Sequence, residues 1–121
     1  MLFDEPDGPE LHSKLKRANQ RYISGMVIYE TVTALMRVNV DNQTAIVEIV
    51  DSFVKRHAFN FIDIDRGVTK LAVEAFAKFG KGRHSAKLNM GDCFAYACAK
   101  SINAPLLFKG SDFGQTDIEI A

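Results

Sequence analysis

Glu30, Asp92 and Asp112 are the residues of this chain whose type and placement could do chemistry. Glu30 interrupts the apolar run from Met26 to Met36. Asp92 follows Gly91 at the head of Cys93-Phe94-Ala95-Tyr96-Ala97, and Asp112 follows Leu106-Leu107-Phe108 within Lys109-Gly110-Ser111-Asp112-Phe113. A carboxylate in apolar surroundings is costly unless a partner or a cation balances it. Three of them, if the fold brings them together, make a divalent-metal site. Each also has a plainer role. Asp92 taken alone is best read as a helix cap or as a charge at the positive end of the helix dipole. Asp112, after Gly110-Ser111, is by itself a turn residue. Glu30 is harder to dismiss, because its helix offers few solvent-facing positions, though a place at the rim would suit it.

A second group is basic. Lys78, Lys81, Arg83 and Lys87 lie close together with His84 among them and no acid between. Such a run is ordinarily a solvated surface segment, and His84 is expected to be exposed and non-catalytic. Tyr29, Phe94 and Tyr96 fall at helical positions that suit a core or an interface better than base stacking.

Residues 9 to 19 after the Pro6-Asp7-Gly8-Pro9 turn predict a short polar helix, and Arg21 to Ser24 a brief strand. Ser24 or Gly25 caps a helix to about Val38 that is apolar over most of its circumference, and hence expected to be buried. Asp41 is the expected cap of a third helix, 42 to 56, with Ile46, Ile49, Val50, Phe53 and Val54 as its stripe. Residues 59 to 64 alternate as a strand. Asp65 caps a fourth helix to about Phe79, with Val68, Leu71, Ala72, Ala75, Phe76 and Phe79 facing inward. After the basic loop, a fifth helix spans Gly91 to about Ile102. Residues 105 to 108 and 117 to 120 predict two further short strands. Strands alternating with helices predict an α/β sandwich of three layers around a mainly parallel sheet. In such sheets ligands bind beyond the carboxyl ends of the strands, and all three acids map near those ends or near helix starts facing them.

The 121 residues fit one domain, 1–121, with one core. Net charge is zero, so no global field draws the chain to nucleic acid or membrane, and any such partner needs a local patch. No apolar run is long enough to span a bilayer, and Met1 to Asp7 does not read as a signal peptide. Cys93 and Cys98, five apart, point about 140° apart around a helix. They predict two buried, unbridged thiols in a reducing cytoplasm rather than a disulfide or a zinc site.

At these residues the sequence resembles a PIN-domain ribonuclease of the VapC toxin type, over essentially its whole length. Tyr22-Ile23-Ser24 through Ala34-Leu35 resembles the second strand and the helix that bears the family's second acid, here Glu30. Lys81-Gly82-Arg83-His84 followed by Leu88-Asn89-Met90-Gly91-Asp92-Cys93-Phe94-Ala95-Tyr96 is the most specific match and aligns the third acid with Asp92. Leu106 to Phe113 followed by Thr116-Asp117-Ile118 resembles the fourth-acid loop, with Asp112 as the candidate. Phe108 and Gly110 stand where many members carry a threonine and an Asn or Asp.

The resemblance implies metal-dependent phosphodiester hydrolysis. Glu30, Asp92 and Asp112 would hold Mg²⁺ or Mn²⁺, which favour oxygen ligands, directly or through water. The cation would acidify and orient the attacking water and offset charge on the leaving oxygen, with no Ser, Cys or His nucleophile. Without it, close carboxylates raise one another's pKa. Lys81, Arg83 and Lys87 would contact RNA phosphates. A cognate antitoxin protein and a homodimer are the implied partners, in the cytoplasm and with no membrane.

The family begins with a central strand carrying a further aspartate, and Leu2 to Pro9 resembles the segment just after it. Asp4, Glu5 and Asp7 fall in a turn with no apolar strand before them. A sheet without its middle strand leaves backbone groups unpaired at about 1–3 kcal/mol each, against a typical domain stability of about 5–15 kcal/mol. The expectation is therefore a natural start upstream, or a PIN remnant that binds an antitoxin without cutting RNA. A receiver-like or flavodoxin-like domain is the third alternative, and the flanks of Asp92 argue against it.

Overall fold

A computed structural model describes residues 8–38, 42–108 and 112–121. The chain forms two compact units, Met1–Ile62 and Asp63–Ala121. Both the predicted turn at Pro6-Asp7 and the cap at Asp41 lie outside the described residues.

In the first unit, helix α1 (Gly8–Arg17) has Glu10 in its first turn and Lys14, Lys16 and Arg17 in its last. That order suits the helix dipole. Strand β1 (Arg21–Ser24) runs directly into helix α2 (Gly25–Val38). Ser24 is buried, and its Oγ accepts the Val27 N–H at 3.4 Å, which fixes the strand-to-helix corner. Helix α3 (Gln43–Arg56) is capped by Asn42, whose side chain accepts the Ala45 N–H at 3.3 Å. Ile46, Val50 and Val54, spaced by four, are its buried stripe, while Ile49 of the expected stripe is exposed. Beyond the His57 cap, Ala58 takes φ 51°, the left-handed residue that stops the helix. Strand β2 (Phe59–Ile62) then pairs in parallel with β1, Arg21 opposite Phe59 through Ser24 opposite Ile62. A parallel return needs a long crossover, and α2 and α3 supply it.

The expected burial of α2 is not observed. None of its residues is buried, and Tyr29 and Val38 are strongly exposed. Its partners within the unit are β1 and α3. An apolar circumference states what a helix could bury, and its two neighbours in the unit leave none of it fully covered.

In the second unit, Asp65 caps helix α4 (Arg66–Phe79) as expected, accepting the Val68 N–H at 2.8 Å. Val68, Ala72 and Ala75 face inward, but Phe76 is substantially exposed. Helix α4 packs on α5 (Met90–Ser101), which buries Gly91, Cys93, Tyr96, Ala97, Cys98 and Ala99. Alanine and cysteine at these positions let the two backbones approach closely. The connecting loop is a tight structure rather than an open one. Lys81 N–H donates to the Leu88 carbonyl and Leu88 N–H to the Phe79 carbonyl, both at 2.9 Å. Leu88 is fully buried. A Cβ at Gly80 would lie 2.4 Å from the Phe76 carbonyl oxygen and 2.5 Å from its ring, so only glycine fits that pinch.

The two predicted C-terminal strands reduce to one parallel bridge, Leu106 with Ile120. Leu106 N–H donates to Glu119 O at 2.8 Å, and Ala121 N–H to Leu106 O at 3.1 Å. Each segment is too short to sustain a ladder. Among the described residues the parallel sheet is thus β1 and β2, with isolated parallel bridges at Gly80–Leu88 and Leu106–Ile120. The architecture is α/β and predominantly helical. Among those residues no helix is long and apolar enough to cross a membrane.

Candidate metal centre

Asp92 is not the residue before α5 but the third residue within it, and Asn89 is the cap. The two form a reciprocal capping box: Asp92 N–H donates to Asn89 Oδ1 at 2.9 Å, and Asn89 N–H to Asp92 Oδ2 at 3.0 Å. The structural role foreseen for Asp92 is therefore real. It does not exhaust the residue. The side chain is half-buried. Desolvation pushes its carboxyl above the ordinary carboxylate range, and the charge of Asp112 pushes it further, against the opposing bond from Asn89.

Asp112 opens a short 3₁₀ turn, Asp112–Gln115, and is exposed. Phe113 anchors the turn: it is buried and stacks edge-on against Phe108 at 5.1 Å. Thr116 Oγ1 donates to Phe113 O at 2.7 Å and accepts from Ile118 N–H at 3.2 Å. Gln115 reaches the loop between α4 and α5, where its Oε1 lies 2.6 Å from Ser85 Oγ. The turn that presents Asp112 is thus tied on both sides.

Glu30 lies in the other unit, on α2, and is exposed rather than enclosed. The charge of Asp112 reaches Asp92, and among the described residues no three carboxylate, imidazole or thiol groups form a metal-holding cluster. One or two carboxylates suit a divalent cation that keeps part of its water shell. Mg²⁺ keeps several waters and commonly takes one or two protein carboxylates. A desolvated carboxylate raised by a like charge is stabilised by a cation in its ionised form.

The remaining candidates sort by packing. Lys81, Arg83 and Lys87 are exposed, and the Arg83 guanidinium rests over the Phe76 ring at 5.4 Å. His84 is half-buried, contrary to expectation. Its ring stands edge-on to Phe79 at 5.3 Å and its Nδ1 accepts the Ala86 N–H at 3.0 Å, so it holds the loop together. Cys93 and Cys98 are both buried, as expected. Burial, then the charge of Asp92, pushes the Cys93 thiol up, away from the nucleophilic form.

One linkage had no signal in the sequence. Tyr96, buried in α5, donates its hydroxyl to Asp117 Oδ1, and Lys100 completes the group at 3.3 Å from Asp117 Oδ2. Burial and that bond push the tyrosine up. The Tyr96 hydroxyl, and then Lys100, hold Asp117 below the ordinary carboxylate range. A carboxylate with a depressed folded-state pKa stabilises above its unfolded value, and that stability is lost as pH falls through the folded value. Tyr96→Phe is therefore expected to move acid unfolding, followed by circular dichroism, to higher pH. An unchanged acid midpoint would mean that the bond does not hold the tail.

A model of the family described as "PIN domain" matches residues 1–119. The chain is 38% identical to a VapC ribonuclease of Rhizobium meliloti, with 98% of this chain and 92% of that protein covered. It is 37% identical to ribonuclease VapC30 of Mycobacterium tuberculosis, covering 98% and 88% of the two chains. Ribonuclease VapC28 of the same organism is 33% identical over 100% of this chain and 90% of its own length.

Proposed function

The chain belongs to the PIN-domain family, among the VapC ribonucleases, and on that premise we propose that it hydrolyses RNA phosphodiester bonds as the toxin of a bacterial toxin–antitoxin pair. The observation that supports the site is the half-buried carboxyl of Asp92 at the start of α5, raised by desolvation and further by the charge of Asp112. The family match runs through both compact units, which supports treating 1–121 as one domain.

In this reading Asp92 and Asp112 hold a divalent cation, Mg²⁺ or Mn²⁺, and Glu30 is the third acid. When bound, such a cation supplies positive charge and Lewis acidity at the scissile phosphate. Asp92 Oδ2 accepts the Asn89 N–H, and the carboxylate keeps acceptor capacity with which it would hold a cation. Asp112, on its tethered turn, would contribute a second carboxylate. Lys81, Arg83 and Lys87 bring phosphates to an otherwise acidic site. The partners proposed are RNA, a cognate antitoxin that covers the acidic site, and a second copy of the chain, in the cytoplasm. The homodimer is supported by α2, whose apolar residues leave none buried within one chain.

Purified protein incubated with a fluorophore-quencher RNA is expected to cleave it in Mn²⁺ and to stop when EDTA is added in excess. Cleavage that persists in EDTA would overturn the metal centre. No cleavage in Mg²⁺ or Mn²⁺ from a folded protein would favour a non-cutting antitoxin binder.

A further inference from the structure

The Met1–Ile62 unit carries a second cationic face that the proposed nuclease chemistry does not use. Its hub is Arg21. The guanidinium donates from Nε to Leu15 O at 2.7 Å, from Nη2 to Lys16 O at 3.0 Å, and from Nη1 to His57 O at 3.0 Å. These carbonyls belong to the C-terminal end of α1 and the cap of α3. Each helix C-terminus is equivalent to roughly half a negative charge, so Arg21 alone balances both. Lys14 pairs with Glu10 at 3.6 Å. Lys16 and Arg17 on α1, and Lys55 and Arg56 on α3, are exposed and exceed what those helix ends require.

The excess is felt at the centre of the patch. His57 stands edge-on to His12, ring centroids 5.6 Å apart. Its pKa is lowered by burial first and then by His12, Arg21, Arg56 and Lys16, so among the described residues the charges that shift it are positive. The groups facing it come from α1 (His12, Lys16), β1 (Arg21) and its own helix (Arg56). Helix-end neutralisation would leave no such residue of positive potential.

We propose that Lys16, Arg17, Lys55 and Arg56, arranged around the Arg21–His57 hub, form a binding surface for the phosphate backbone of RNA. This rests on the ribonuclease reading for the identity of the polyanion, but on different residues. Exposed lysines and arginines are free to displace counterions from a backbone. Arg21, already committed to three carbonyls, fixes the spacing of the two helix ends that carry them. Incoming phosphates supply the missing negative charge, so binding favours the protonated form of His57. Affinity therefore rises as pH falls through the histidine range.

The test is fluorescence anisotropy with a labelled single-stranded RNA in EDTA, comparing K16Q/K55Q with R37Q/K70Q, which removes the same charge elsewhere. The patch pair is expected to weaken binding about 10-fold and to reduce the slope of log affinity against log salt by roughly one to two. The control pair is expected to stay within about 2-fold of the parent. His57→Asn, which keeps the backbone carbonyl, is expected to flatten the rise in affinity on acidification. Equal losses in both pairs, or none in the patch pair, would overturn the surface. Cleavage of the same RNA by the parent in Mn²⁺ separates the two readings. Cutting with patch-independent binding sinks the surface alone. Patch-dependent binding without cutting supports the surface and sinks the nuclease.

Discussion

Asp92→Asn is expected to lower divalent-dependent RNA cleavage by a factor of about 10² or more, with the fold retained. The asparagine oxygen can still accept the Asn89 N–H, and the backbone N–H of residue 92 can still donate to Asn89 Oδ1, so the capping box keeps both its bonds. What disappears is the negative charge. That charge is disfavoured in the apo protein, since burial and Asp112 both raise the carboxyl. The sign follows. A carboxyl whose folded pKa is raised withdraws stability as pH climbs from the unfolded value through the folded one. Above that range the variant should therefore melt no lower than the parent, and it should lose the stabilisation that Mn²⁺ gives the parent. Alanine is the wrong probe, because losing a capping acceptor costs about 1 kcal/mol on its own. Cleavage assays with thermal melts in EDTA and in Mn²⁺ check both halves. Parent-like cleavage by a folded Asp92→Asn would remove this residue from the site.

Leu88→Ala carries the largest expected loss of stability. Leu88 is the one large side chain fully buried among the described residues. Leucine-to-alanine changes at such positions cost about 2–5 kcal/mol, a large part of the roughly 5–15 kcal/mol that holds a domain together. For a chain of this size the melting temperature should fall by on the order of 10 °C. Activity should suffer as well. Leu88 precedes Asn89, the cap of α5, and its backbone is bonded on both sides to Phe79 and Lys81. A cavity there loosens the start of the helix that presents Asp92. Leu88→Met, close in volume, should cost less than about 1.5 kcal/mol. Melts of both variants decide it: equal and small shifts would mean the loop is not held by this side chain.

Local signals were legible in the sequence, and long-range ones were not. Asp65 three residues before Val68 announces a cap, and the bond is present. The β1 segment and the helices on either side of it needed only turn residues and periodicity. Asp92 reads from the sequence both as a helix-start residue and as a ligand candidate, and the structure gives it the first of these roles, in the capping box with Asn89. By contrast, the Tyr96–Asp117 bond joins residues 21 apart with no motif between them. The Arg21 hub joins α1, β1 and the end of α3 over 36 residues. The burial of α2 was overestimated because composition does not say which neighbours exist. The short C-terminal strands failed because pairing needs a partner at the right register, and only Leu106 and Ile120 find one. Asp112 differs from all of these. Taken alone it is a turn residue, and it becomes a candidate only together with Glu30 and Asp92 and in the flanks that the family pattern matches.

The box between Asn89 and Asp92 has a consequence for how tightly an ion could be held. A surface aspartate surrenders rotational freedom when it grips a ligand, a penalty of up to about 1 kcal/mol for a rotamer-rich side chain. Here folding has already frozen the rotamer through the Asn89 N–H. An arriving ion would ask no further ordering of this arm, so affinity should depend on the polypeptide segment from residue 87 to 92 being rigid.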